Sequence, residues 1–384
     1  MNATAQTLPR PRLRGISPGT IVLGCAIALT LLGLVVLSSA GQGAKAAAGD
    51  PLVFFRKQLI FCGVALVPFA IMSLVPIEKL RHFSWPIGVG TVLVLAAVLS
   101  RHVGALHNGA RRWIEIHGQS FQPSDVGKLA LVICLASYLS ANQRYITSFW
   151  RGFVIPLLII GLFSGLILKE PDFGTAALCG IVGFTLMFLA GTRLLYLVPS
   201  VLAGAGAFSV LVYFDPVRIQ RVISFLNVEE NKAGSAYQLY QGIVGFGSGG
   251  LTGVGLGEGR QQLAYLPEAH TDFVLPVMGE ELGLVATAAV VLIFLIIFIA
   301  SLRALRKAPN LFEFTLACGA LLMLTGQAMI NMGVVTGLLP TKGMSLPFIS
   351  YGGTNLMLMF AIVGLLVNCF RRWERPVMPQ ASEL

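Results

Sequence analysis

Residues 283–302 read GLVATAAVVLIFLIIFIASL, twenty positions without a charged side chain. A helix of that length spans the hydrocarbon of a bilayer, and so apolar a run has no place in a water-soluble core. The stretch just before it, 261–283, reads QQLAYLPEAHTDFVLPVMGEELG and carries Glu268, His270, Asp272, Glu280 and Glu281. A carboxylate where the hydrocarbon begins is expensive, so Asp272 is a functional-site candidate from its position alone.

The pattern repeats outward along the chain. Apolar runs fall at about 17–40, 58–76, 83–100, 126–141, 152–168, 173–190, 194–214, 283–302, 312–336 and 355–370. They predict an all-α integral membrane protein with ten transmembrane helices in one polytopic domain, 17–372. The composition agrees: 55% hydrophobic and only 11% charged, with a mean hydropathy of +0.80. Residues 1–16 and 373–384 read as short cytoplasmic tails, the first basic and disordered. No cleavable signal peptide is expected, because the first apolar run is long enough to span and no small-residue cleavage site follows the basic leader.

Orientation follows from Lys and Arg. The leader carries Arg10, Arg12 and Arg14; alternate short loops carry Lys79 and Arg81, Arg144 and Arg151, Arg193, then Arg303, Arg306 and Lys307; the tail carries Arg371, Arg372 and Arg375. The positive-inside rule places these loops and both termini in the cytoplasm. The other face also holds basic groups, among them Arg111, Arg112, Arg218, Arg221 and Lys342, mixed with acids. That mixture fits a solvated surface or a polar cavity for an anionic ligand such as a phosphorylated lipid head group.

All six cysteines lie in or beside apolar runs, so they read as buried hydrophobes. No Cys-x-x-Cys or Cys/His cluster suggests a metal. On the outer face, 101–125 contains Arg111-Arg112-Trp113-Ile114, which has the character of an interfacial segment. Residues 215–272 form one large extracellular loop, long enough to be functional. Its Gly245-Phe246-Gly247-Ser248-Gly249-Gly250 matches G-x-G-x-x-G formally but lacks the βαβ context of a dinucleotide site, and no phosphate-binding P-loop exists. No nucleotide and no nucleic-acid partner are therefore expected.

Four constellations can carry chemistry. Asp125 and Lys128, three apart at the start of the fourth span, share a helical face; they are either a dipole-favoured Asp with a snorkelling Lys or the wall of a polar cavity. Lys169-Glu170-Pro171-Asp172-Phe173-Gly174 reads as a tight charged turn, with Pro171 breaking the helix. Thr341-Lys342-Gly343 and Ser350-Tyr351-Gly352-Gly353 lie between the last two spans, where Lys342 could meet a phosphate, or where the segment is only a flexible re-entrant loop. Asp272 could simply cap the next helix, or act as a general base with a carboxyl pushed upward by its apolar surroundings.

These same segments resemble the SEDS family of bacterial cell-wall polymerases, which includes FtsW, RodA and SpoVE. The likeness lies in NGARRWI, FQPSD, EPDFGTA, YLPEAHTDFVLPVMGEELG, NMGVVTGLLPTKGMSLPFISYGGTNL and the ten-span layout, covering about 50–372. The last two are more like the cell-division or sporulation members than RodA. The resemblance implies glycosyl transfer from lipid II, a disaccharide-pentapeptide on undecaprenyl pyrophosphate, at the outer leaflet. It implies that Asp272 is essential and that Asp125 and Lys128 line the central cavity. Many relatives carry Glu at position 125, and Ala264 stands where some are acidic.

On this basis Asp272 is the expected catalytic base, with Asp125, Lys128, Arg111, Arg112, Lys342, Glu268, His270, Thr271 and Ser350 as expected substrate-binding residues. Mg or Mn could assist the leaving pyrophosphate, and the metal ligands are unassigned. The expected partners are lipid II, membrane lipids, other division proteins at the septum, and a class B penicillin-binding protein, since this chain has no S-x-x-K transpeptidase motif. A lipid II flippase, a RodA-like elongation polymerase and a scaffold for division proteins are the competing readings.

Overall fold

The computed structural model describes residues 16–39, 52–107, 110–116 and 119–374. The two expected tails lie, apart from Ile16, Trp373 and Glu374, outside the described residues. The helices are α1 (Pro18–Ser39), α2 (Val53–Leu74), α3 (Ile77–His82), α4 (Ser84–Val98), α5 (Pro123–Ala141), α6 (Ile155–Lys169), α7 (Phe173–Ala190), α8 (Leu194–Tyr213), α9 (Pro216–Leu226), α10 (Tyr237–Gly249), α11 (Val274–Leu305), α12 (Leu311–Val335) and α13 (Gly353–Trp373). Nine helices among the described residues are long and apolar enough to cross a membrane, and α4 is a shorter apolar helix. These ten coincide with the ten apolar runs of the sequence.

Three helices form the centre: α5 packs against α4, α12 and α7; α13 packs along α2; α12 touches α11 and α13. Small residues allow the closest approach, for a Cβ at Gly364 of α13 would collide with the Phe69 carbonyl of α2. Of the most apolar window of α13, 83% is buried, against 6% for α8, so α8 stands at the edge with its apolar side chains facing outward. The six cysteines are unpaired; Cys134, Cys179, Cys318 and Cys369 are buried and the other two half-buried.

Two features depart from the sequence pattern. First, α11 begins at Val274, nine residues before the apolar run suggested. It bends at Gly283, whose φ of 73° and ψ of −171° interrupt the helix. The first part contains Pro276, Glu280 and Glu281, which lower its hydropathy and hide it from an apolar-run reading. The loop after α10 satisfies the backbone around the bend: Val254 N–H donates to Glu280 O, Gly255 N–H to Glu281 O, and Leu284 N–H to Gly250 O. The glycine-rich stretch 245–250 is thus a packing device, with Gly249 in contact with the Gly279 carbonyl. Second, the segment between α4 and α5 folds into an antiparallel sheet in the order β1 (Ala105–His107), β2 (Ala110–Ile116), β3 (Gln119–Phe121). The sheet adds strands to an otherwise helical chain and gives Arg112 a rigid support.

Candidate functional site

The polar groups gather at one end of the bundle, where α5 and α7 start, α12 ends and α13 starts. Pro123 opens α5 and places Asp125 in its first turn, the position favoured by the helix dipole. Asp125 and Lys128 are buried, 7% and 3% exposed, and their charges meet at 2.8 Å. Lys128 also donates to Gln327 Oε1 of α12 at 2.7 Å. Gln327 passes the link on, donating to Asn355 Oδ1 of α13 and to Ser345 O, both at 2.9 Å. This pair is therefore locked between three helices.

Asp172 caps α7 by accepting from Thr175 N–H at 3.2 Å. It also pairs with Lys342 at 3.3 Å and accepts from Gln122 Nε2 at 3.4 Å. Burial opposes its charge, but Lys342, the Thr175 bonds and Arg112 outweigh that and hold its carboxyl below the usual range. Arg112, on β2, donates to the carbonyls of Glu170 and Pro171 at 2.6 and 3.0 Å. It thereby clamps the α6–α7 turn, where Pro171 has a φ of 33°. Glu170 is 0% exposed and neither carboxyl oxygen makes a hydrogen bond. Burial, then Asp172, push its pKa up to about 8; nearby Ser124 and Arg112 offset only part of this.

Asp272 lies in the turn before α11. Its carbonyl accepts from Asn331 Nδ2 of α12 at 2.8 Å, and the same amide donates to Met344 O at 2.6 Å. Its carboxylate leans on the bare Cα of Gly343: a Cβ there would sit 2.5 Å from Oδ2. Asp272 is thus beside Lys342, yet the carboxylate accepts no hydrogen bond from another described residue. Burial, Glu268 and Asp172 raise its pKa to about 7, against the pull of Lys342 and Arg112. A carboxyl in that range can accept a proton near neutral pH.

The neighbouring groups are placed as follows. Glu268, at φ 54°, accepts from the Thr271 hydroxyl at 2.9 Å. His270 stacks on Phe54 of α2, with ring centroids 4.2 Å apart, and burial lowers its pKa against the pull of Glu268. Its carbonyl accepts from Tyr351 N–H. The Ser350 hydroxyl is buried and accepts from Leu346 N–H at 2.7 Å, which helps to shape the α12–α13 loop. Arg111 donates to Gly104 O at 3.2 Å. So Asp272, Lys342 and Arg112 come together around Asp172, and the Asp125–Lys128 pair lies next to them through Glu170.

Sequence reasoning omitted Glu170, Asp172, Gln122, Gln327 and Asn331 from the site. Two signals could have found them. Gln327 and Asn331 are amides inside an apolar span, which are costly unless they bind something. In the α6–α7 turn, two acids flank a proline between two spans. No three His, Cys, Asp or Glu side chains among the described residues come together as a metal cage.

Comparison with known proteins points the same way. The model of the FtsW, RodA and SpoVE family, described as cell cycle proteins, matches residues 20–374. A probable peptidoglycan glycosyltransferase FtsW of Coxiella burnetii is 39% identical, covering 90% of this chain and 94% of its own. Stage V sporulation protein E of Bacillus subtilis is 38% identical over 92% of this chain and 97% of its own. Among solved structures, Thermus thermophilus RodA is similar with a TM-score of 0.69 at 27% identity, covering 92% of this chain and 97% of that one. A chain from a peptidoglycan synthase complex, described as coordinating polymerization and crosslinking, gives a TM-score of 0.74 at 26% identity, covering 92% and 98%.

Proposed function

The chain belongs to the family of FtsW, RodA and SpoVE, and from that premise we propose that it is a peptidoglycan glycosyltransferase that polymerises lipid II in cell division. The observation that carries the mechanism is Asp272, a half-buried carboxyl raised to about 7 and set beside Lys342.

The acceptor's sugar hydroxyl attacks the anomeric carbon of the lipid-linked donor. A C–O bond to the acceptor forms as the bond from that carbon to the diphosphate breaks. Asp272 takes the hydroxyl proton, and the electron pair leaves on the diphosphate. An α-linked donor giving a β-linked product is one inverting displacement, so no enzyme nucleophile is required. Lys342 and Arg112 are the cations whose charges bear on Asp272, and they stabilise the departing charge. Lys128, already held by Asp125 and Gln327, shapes the cavity wall. Among the described residues no three His, Cys, Asp or Glu side chains form a cage for Mg or Mn, and no step is assigned to a metal ion.

The site faces the outer side of the cytoplasmic membrane in this reading, supported by the basic short loops on the opposite side. Cross-linking falls to a class B penicillin-binding protein, supported by the similarity to a chain of a peptidoglycan synthase complex. The test is polymerisation of purified lipid II by the reconstituted protein, alone and with such a partner. Glycan strands that lengthen with time support the reading; lipid II that remains monomeric under both conditions refutes it.

A further inference from the structure

α9 adds a second cationic element to this end of the bundle. Arg218 and Arg221 are three apart and share one helical face. On other sides of the helix, Ile223 and Leu226 are 49% and 70% exposed, and α9 follows directly on Tyr213 and Phe214 at the end of α8, which are also exposed. Apolar residues on one side and arginines on another suit a helix lying at the membrane–water boundary.

Arg218 fixes which way the basic face turns. Its guanidinium carbon lies 3.8 Å from the centroid of the Phe173 ring, and its Nε meets Asp215 at 2.9 Å. Lys342 Nζ lies 5.4 Å from the same ring centroid. Phe173 opens α7 directly after Asp172, so the α9 arginines reach the rim of the proposed reaction site. Arg221 lies one turn beyond Arg218. It is exposed, and among the described residues it donates no hydrogen bond and pairs with no carboxylate. Its charge is felt at Lys342, whose ammonium is lowered by burial and also by Arg112 and Arg221, against Asp172. The charges of Arg112 and Arg221 thus both bear on Lys342, which is itself paired with Asp172, and a phosphate would relieve that repulsion.

We infer that Arg221 is a diphosphate-binding residue of the donor site, carried there by α9 and held in register by the Arg218–Phe173 contact. This rests on the glycosyl-transfer reading and deepens it. The ligand is a polyprenyl-linked sugar diphosphate, whose charged group sits at the depth where an interfacial helix lies. A guanidinium fork suits phosphate oxygens better than an ammonium does. Arg218 is a positioning residue that acts through Arg221.

The test is a lipid II titration of the purified full chain in phosphatidylcholine nanodiscs. Arg221→Ala and Arg221→Gln are expected to raise KM about tenfold, the loss of one charge-assisted contact, with kcat within about twofold. Arg221→Lys should recover part of that loss. Arg218→Ala should raise KM less, and the double variant should be no worse than Arg221→Ala, since both changes remove one interaction. Direct binding of polyprenyl diphosphate should weaken by the same factor, and Arg306→Ala, at the other end of the bundle, should behave as wild type. Wild-type KM and polyprenyl diphosphate affinity in both Arg221→Ala and Arg221→Gln would overturn the inference while leaving the polymerase reading intact. So would a defect seen only in added phosphatidylglycerol, which would assign Arg221 to bulk anionic lipid. Failure of the wild-type protein to polymerise lipid II would remove both readings.

Discussion

Glu313 and Asp272 are acids near helix termini at opposite ends of the same bundle, and their surroundings differ. Glu313, in the first turn of α12, has partners on both oxygens: Asn310 Nδ2 donates to Oε1 at 3.0 Å, Trp373 Nε1 donates to Oε2, and Arg372 stands 3.7 Å away. Arg372 also binds Glu78 on α3, and Arg371 donates to Ser73 O. The result ties α12 and α13 to the α2–α3 corner. At the Asp272 end, by contrast, Lys128 is taken by Asp125 and Lys342 by Asp172, and Arg112 spends its donors on two carbonyls. Asp272 and Glu170 are left without a committed counter-ion, and both carboxyls are pushed toward the neutral form. A satisfied buried acid holds elements together; an unsatisfied one is strained toward taking a proton, which is what a general base does.

The largest expected effect breaks the comparison at its reactive member. Asp272→Asn keeps the shape but removes the proton acceptor. Polymerisation should fall by about 10²-fold or more, with the melting temperature no lower than wild type. Next is Lys342→Ala, expected to cut turnover at low lipid II roughly tenfold and to leave Asp172 without its ion pair, with Lys342→Arg a partial rescue. Unchanged turnover in Lys342→Ala would reduce the 341–343 triplet to a loop.

The opposite end gives the mirror result. Glu313→Ala should cost about 1–3 kcal/mol of stability by orphaning its donors, while activity per folded molecule stays within about twofold. The smallest effect on activity is expected for Glu170→Gln, which is read through stability. A carboxyl that titrates near 4.5 unfolded and about 8 folded makes the protein progressively less stable as pH rises between those values. The amide avoids that cost, so its melting temperature relative to wild type should be higher at pH 8.5 than at pH 4.5. An equal difference at both would mean that Glu170 is already matched.

The ten spans were legible because each is a long apolar run, and Asp272, Asp125, Lys128, Arg112 and Lys342 because charge stands out against such a background. The sheet was not legible: β2 is short and carries Arg111, Arg112 and Glu115 among its apolar residues, which hides its alternation. Asp172 read as part of a plain turn because its partner, Lys342, is far away in sequence. Ser350 and Arg111 stood out as polar groups beside the site, yet whether such a group faces a cavity or a carbonyl depends on the path of the loop. The start of α11 was hidden by the glutamates that anchor it.

The central claim is that Asp272 works as a base because burial and the neighbouring acids have raised it to about 7. The most direct test is the pH dependence of kcat/KM for lipid II polymerisation in wild type and Glu268→Gln, since Glu268 is among the groups that raise Asp272. The expected wild-type rate rises with pH through a limb near 7, and the limb moves to lower pH in Glu268→Gln. A rate that stays flat from about pH 5 to 9, or a limb that ignores the Glu268 change, would contradict the account.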